Sequence, residues 1–515
     1  MHTVIIYSCP NTLIQRNNRG VKNIMTERGA RKVNRRDVLK YVGAGVIGAG
    51  IAGVATYFGT TSFYSQVTAK ETVTETVTKT VTKSAPAAVK TTTVVVPSYT
   101  TPKPGGGVPS GPVKIGWLCA YSGPAAVSAY SGDVTIDMVV EKINAGGGIL
   151  GRKVQVIKRE QGKAEDTVRE VRKLALEDKV DYIMGIIASG NAEAAAPVAE
   201  ELGIPLTISM ARSSRIFAKK QYKFVFRTPQ CDVLESVNGM IFILKQLGEK
   251  IKTWGYLMPD YAYGRDIWTI TKEILKKLRP DIDIVYEGFP PLFTTDYTSY
   301  ITKILAVKPD VLYTTLWGGD WITFVKQAKP YGLFDKIIVA AGAGQECHSA
   351  VGMECPEGIF AGVRYWFLWP PHELWPLNKE YVEEYHKRTG GWPYYWGEST
   401  WAAIMMWKSA IEIFYAENGR WPDFEEVCKT MEGMALACPG GIRYIRPEDH
   451  ESLIDDVWGV TKYVEPDKFK VPLLNPIHIG NPEWCFNPPG IYAADWVKSW
   501  PDSIVKTLRE YLGLI

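Results

Sequence analysis

The chain has 515 residues, 46% of them hydrophobic and 12% aromatic, so it exceeds one ordinary domain and can fill sizeable cores. Bulk disorder is thereby excluded. Net charge is +4, but residues 1–40 carry nine Lys/Arg against Glu27 and Asp37, a local +7 that leaves the rest at −3. No nucleic-acid surface is expected, because the basic excess is confined to the N-terminus.

Residues 1–34 form a basic segment. Residues 35–60 then read as a twin-arginine export signal or membrane anchor: Arg35-Arg36 is followed by the apolar, glycine-rich run Tyr41–Phe58. That run of 18 residues is at the short limit for a membrane-spanning helix. No lipid-attachment cysteine lies near its end. Gly43-Ala44-Gly45-Val46-Ile47-Gly48 matches the dinucleotide fingerprint G-x-G-x-x-G. It follows a basic segment rather than a strand and runs into threonines rather than a helix, so no nucleotide site is expected. Residues 61–112 read as a stalk: Thr68–Thr101 holds twelve threonines and leads into Pro102 to Gly107. Such composition stays extended and unpacked.

From Val113 the pattern becomes strand–helix alternation. Strands are expected at 113–118, 154–158, 181–187 and 205–209, with helices at 132–144, 165–178 and 192–202. The rhythm restarts after Cys231. Helices are expected to 247 and at 264–278, 297–305 and 321–331, with strands at 253–258, 282–289, 311–316 and 336–340. Repeated βα units of this length make doubly wound parallel sheets, with ligands expected at the carboxyl ends of the strands. The division expected is lobe 1 from 113–232, lobe 2 from 233–345, and returning segments at 346–515 that complete both.

Motifs for catalysis fail on context. Gly397-Glu398-Ser399-Thr400-Trp401 lacks the second glycine of a nucleophile elbow and reads as a packed helix. Gly146–Lys153 lacks the Lys-Ser/Thr ending of a phosphate loop. The six histidines are scattered, and Cys347-His348 is only an adjacent pair. No metal or cofactor is expected. Cys347/Cys355 and Cys428/Cys438 are close enough in sequence for small disulfide loops, while Cys119 and Cys231 read as buried residues at strand ends.

A series of blocks carries a resemblance. Ile115-Gly116, Ser122-Gly123-Pro124 and Ile143–Arg152 come first. Ser189-Gly190 with Ala194–Pro197, Gly203-Ile204-Pro205, Phe226-Arg227-Thr228, Tyr261–Arg265, Lys326-Gln327-Ala328 and Pro439–Arg443 follow in order. Over about 113–465 the chain resembles the leucine/isoleucine/valine-binding family of ABC-transporter solute-binding proteins. The resemblance implies an α/β type I periplasmic-binding fold, two doubly wound parallel-sheet lobes joined by a three-crossover hinge. It also implies an exported, monomeric, non-enzymatic receptor whose partners are a small organic ligand and the membrane permease. A ligand-sensing receptor of the same fold is the alternative, and an exported enzyme the third reading.

Matching the family's site positions gives Ser189, Gly190, Ala211 and Ser213 for a ligand carboxylate, with Tyr263 and Trp317 over the ligand body. Tyr130, Asp320 and Glu346 are further candidates for contact. Ser189 also opens an Ala-rich helix, whose free N–H groups favour an anion. The family's glutamate for an amino-acid ammonium falls at Ala341, and one of its disulfide cysteines at Ala188. A buried ammonium without a carboxylate is costly. A ligand with a carboxylate or amide head and a planar or apolar body is therefore expected rather than leucine or valine.

Overall fold

The computed structural model describes residues 94–515, apart from 103, 219, 345–347, 364 and 481–484, together with Thr3–Val4. The expected export segment at 35–60, most of the threonine-rich stretch, Glu346 and Cys347 lie outside the described residues.

Lobe 1 is built on β1 (Val113–Cys119), α1 (Ala126–Ala145), β2 (Val154–Glu160), α2 (Ala164–Leu176), β3 (Tyr182–Gly185), α3 (Ser189–Leu202), β4 (Leu206–Ile208) and β5 (Val225–Arg227). Its five strands are all parallel, in the order β2-β1-β3-β4-β5. Such a sheet is buried on both faces, which is why β1 and β3 read as continuous apolar runs. Helix α3 lies close on the sheet because Ala192, Ala195, Ala196 and Ala199 offer no bulk, and all four are fully buried. It stops at Gly203, whose left-handed φ of 64° suits glycine. The glycine loop after α1 is tight for the same reason. A Cβ on Gly148 would stand 2.1 Å from the Arg152 carbonyl oxygen, so only glycine fits there.

Lobe 2 begins with α4 (Asp232–Leu247), β6 (Thr253–Leu257), α5 (Ala262–Leu278), β7 (Asp283–Gly288) and α6 (Thr298–Val307). It continues through β8 (Val311–Thr314), α7 (Gly318–Ala328), β9 (Ile338–Ala341) and β10 (Phe360–Val363). The chain then returns to lobe 1 as α8 (Pro376–Thr389), α9 (Tyr395–Asn418), α10 (Phe424–Met431) and the hairpin β11 (Ala435–Cys438) and β12 (Gly441–Ile445). It crosses once more to add β13 (Val457–Lys462) and β14 (Leu473–Ile479) to lobe 2, and ends in α11 (Ala493–Lys498) and α12 (Asp502–Leu512). The second sheet runs β14-β13-β10-β9-β8-β6-β7, with β13 and β14 antiparallel at one edge. Two parallel-sheet lobes with crossovers after β5, after β10 and before β13 give the fold class that the alternation and the resemblance imply.

Gly397–Trp401 lies in the buried N-terminal half of α9, as the missing glycine implies. The Cys428/Cys438 loop does not form, and Cys347 of the other expected loop lies outside the described residues. Cys428 and Cys438 are free, buried thiols, Cys355 is likewise free, and burial raises the pKa of all three. Cys119 and Cys231 are buried at the end of β1 and the start of α4, as expected.

The last part of the expected stalk belongs to the body. Val94–Val95 pairs with β11, Thr101 Oγ1 donates to Glu412 (2.8 Å), and the Gly105 N–H donates to Tyr415 Oη (2.5 Å). The hydroxyl of Tyr99 accepts from Trp401 Nε1 at 2.8 Å. Threonine-rich composition cannot reveal these partners, because they lie some 300 residues away, as the separation of 311 between Thr101 and Glu412 shows. Limited proteolysis is therefore expected to leave a body that retains Val94. N-terminal sequencing of the stable fragment checks this, and a fragment starting near Val113 would show that residues 94–112 detach.

Candidate ligand-binding cleft

The carboxyl ends of both parallel sheets face one another across a cleft. Five segments supply its walls: Ile187 and Ser189 at the start of α3, Met210 and Arg212 after β4, Tyr261 and Tyr263 after β6, Trp317 before α7, and Tyr395-Trp396 opening α9. The free volume between them is about 20 Å³, little more than one water needs. Ligand pockets run to several hundred Å³, so a ligand is admitted only when the lobes part.

Three of the expected residues stand in this wall. Ser189 is buried, and its Oγ accepts the backbone N–H groups of Arg212 (3.4 Å) and Ser213 (3.2 Å). Tyr263 is buried and donates from Oη to the Glu235 carboxylate at 2.9 Å. Trp317 donates from Nε1 to Tyr261 Oη at 2.8 Å, and its ring meets Trp396 edge-on with centres 5.7 Å apart.

The others are placed elsewhere. Ala211 packs into the lobe 1 core with its N–H given to the Ile186 carbonyl at 3.0 Å. Gly190 is exposed on the first turn of α3. Ser213 turns to the cleft rim and donates to Asp266 at 2.6 Å. Tyr130 is 53% exposed on α1, and it does not line the cavity. Asp320 is buried and accepts the Phe293 N–H at 2.9 Å, fixing the loop before α6. Glu346 lies outside the described residues.

Sequence reasoning missed Arg212, Glu235, Tyr261, Tyr395 and Trp396. Arg212 is flanked by two family positions and was legible as their neighbour. Glu235 lies inside an apolar helix far from any family position, and only the fold brings it here.

Arg212 is the charged group of the cleft wall, and Glu235 stands behind it without lining the cavity. Arg212 pairs with Glu235, and its guanidinium also donates to the backbone carbonyls of Gln230 (2.9 Å) and Cys231 (3.2 Å). The Tyr395 ring centre lies 6.0 Å from the guanidinium carbon. Burial pushes the Glu235 carboxyl up to about 8, against the opposing pull of Arg212. A Cβ built on Gly342, the residue after Ala341, would stand 2.3 Å from Glu235 Oε1. A carboxylate thus does reach the end of β9, where the family's glutamate would begin. It comes from α4 and already has a guanidinium partner, while Ala341 itself brings no carboxylate.

A second cluster bridges the lobes at the rim. Asp266 of α5 is fully buried and accepts from Ser213, from Arg215 Nε (2.5 Å) and from the Tyr492 hydroxyl. On the other side of the cleft the Gly319 N–H of lobe 2 donates to the Pro124 carbonyl of lobe 1 at 3.0 Å.

Comparison with known proteins agrees with this geometry. The family described as "Periplasmic binding protein" matches residues 112–461. Leu/Ile/Val-binding protein homolog 7 of Brucella suis is 27% identical over 292 residues, 55% of this chain and 72% of that protein. Among solved structures, the amino acid ABC transporter substrate-binding protein of Pseudomonas fluorescens has a TM-score of 0.63 at 22% identity, covering 74% of this chain and 98% of that one. A solute-binding protein of an ABC transporter from Rhodopseudomonas palustris, in complex with 3,4-dihydroxybenzoic acid, has a TM-score of 0.61 at 23% identity, covering 68% and 93%. By fold and cleft the chain is a two-lobed solute receptor of the kind that serves ABC importers. It belongs to the periplasmic binding protein family, whose members work outside the cytoplasm as binding proteins rather than enzymes.

Proposed function

We propose that this receptor captures a planar organic acid and presents it to the permease of its importer. The aromatic wall carries the reading: Tyr261, Tyr263, Trp317, Tyr395 and Trp396 converge on one cavity from both lobes. Aromatic faces and edges pack on flat apolar bodies with a gain beyond simple burial. The exported state follows from the arginine pair at Arg35-Arg36, with the N-terminal segment holding the receptor at the cell surface if it is not cleaved. A monomer suffices, since both walls of the cleft come from one chain.

Isothermal calorimetry across benzoate, 3,4-dihydroxybenzoate, benzamide, leucine and valine tests the ligand class. Benzoates are expected to bind at least tenfold more tightly than leucine or valine. Leucine binding stronger than every aromatic acid would overturn the reading, because the flat wall would then be selecting nothing.

A further inference from the structure

We propose that Arg212 anchors the carboxylate of the ligand and that Glu235 is its internal rival, so that capture is coupled to proton uptake. The inference rests on the planar-acid reading above and adds the residue and the regulation. Arg212 is nearly inaccessible, with 2% of its surface exposed, yet it lines the cavity. A guanidinium carries five N–H donors. Here three acceptors take one each, namely Glu235 and the Gln230 and Cys231 carbonyls. Two N–H groups remain for a ligand. Beside them stands Ser189, whose Oγ accepts two backbone N–H groups while its own proton donates to no acceptor recorded among the described residues. A hydroxyl and a guanidinium edge next to a flat aromatic wall suit a carboxylate on a planar body.

The rivalry follows from what surrounds Glu235. Arg212 faces it from the segment after β4, Tyr263 from α5, Tyr313 from β8, and Asp456 from the last crossover. Arg212 is the single cation in that set. A ligand carboxylate placed on Arg212 brings a second negative charge beside Glu235, and two carboxylates sharing one guanidinium raise the cost of ionising either. Glu235 then holds its proton in the complex, donating it to the ligand or to a neighbour, and Arg212 becomes the counter-charge of the ligand alone. The free carboxyl already sits at about 8, and binding shifts it higher still. The complex therefore holds more protons than the free protein wherever free Glu235 is ionised. Affinity is expected to be flat below pH 8 and to fall by up to tenfold per pH unit above it.

The zwitterion of an amino acid would use the same pair differently, with its carboxylate on Arg212 and its ammonium on Glu235. Substituting Glu235 separates the two. In calorimetry from pH 6.5 to 9.5 with benzoate and leucine as probes, Glu235→Gln is expected to bind benzoate as tightly as wild type or up to tenfold more tightly, with the alkaline loss removed. Arg212→Gln is expected to lose at least a hundredfold. Should Arg212→Gln fail to fold by circular dichroism, Glu235→Gln still decides the matter. Benzoate binding that weakens in Glu235→Gln, or keeps its alkaline loss there, would overturn the proposal. So would leucine binding abolished by Glu235→Gln, which is the zwitterion arrangement. Intrinsic tryptophan fluorescence, to which Trp317 and Trp396 contribute, gives a readout without ligand, a wild-type transition near pH 8 that is absent in Glu235→Gln. If that transition appears and no benzoate binds, the ligand class proposed above is wrong while the proton-sensitive pair stands. If benzoate binds and the transition is missing, the ligand class stands and the coupling does not.

Discussion

Glu398→Ala is expected to lower the stability of the protein by about 3–5 kcal/mol, the cost of leaving a buried charge without its partner. Glu398 is fully buried in α9 and pairs with Arg443 of β12, which is also buried. The Gly440 N–H adds a contact to Glu398 at 3.3 Å, and Arg443 reaches on to Ser452 Oγ at 3.1 Å and to the Thr228 carbonyl at the first crossover. Removing the carboxylate strands a guanidinium among carbonyls where water cannot replace the lost charge. Replacing both residues by apolar ones of similar size removes that penalty. The double substitution Glu398→Leu with Arg443→Met is therefore expected to be markedly less damaging than Glu398→Ala alone. Chemical denaturation of both variants and the wild type checks this, and a double variant that loses as much stability as Glu398→Ala or more would show that the stranded guanidinium is not the source of the cost.

Asp266→Ala is expected to weaken capture of the cognate ligand by about 10- to 100-fold through closure, although Asp266 does not line the cavity. Its carboxylate ties Ser213 and Arg215 of lobe 1 to α5 of lobe 2 and to Tyr492 from the C-terminal segment. With the lobes parted these contacts are lost, so they favour the closed arrangement alone. Apparent affinity scales with the fraction of protein able to close. Solution scattering is expected to give a smaller radius for the wild type at saturating ligand than without it, and a smaller change for Asp266→Ala at the same ligand concentration. An unchanged radius and affinity in the variant would remove the rim cluster from the closing mechanism.

The fold was legible because each βα unit announces itself locally. The apolar run of Val113–Cys119, the spaced apolar face of Ala262–Leu278 and the alanines of α3 each state their element without outside help. Ser189, Tyr263 and Trp317 were legible through the family positions they match, and each lies within or just before the first turn of a helix that follows a strand, where such folds place ligands. Ser213 and Ala211 fell at family positions, but their hydrogen bonds go to Asp266 and Ile186, and neither partner can be inferred from spacing. Glu235 was hidden most completely. Inside a helix buried on nearly every side, a carboxylate declares itself only through its partners, and Arg212, Tyr263 and Gly342 come from three other segments. The attachment of residues 94–107 was hidden likewise, since its partners Glu412, Tyr415 and Trp421 lie at the far end of α9 and just beyond it.

The two described ends of the chain sit on different lobes. Residues 94–107 are fastened to lobe 1 through α9 and the glycine loop, whereas α11 and α12 lie against α4 and α5 of lobe 2. Attachment through the N-terminal segment, as proposed above, would hold lobe 1 still. Lobe 2 becomes the swinging arm, and Ile515 rides on it like the tip of a pointer. A hinge rotation that closes over a small molecule would then be amplified into a larger displacement at the outer surface of lobe 2, where α11 and α12 lie.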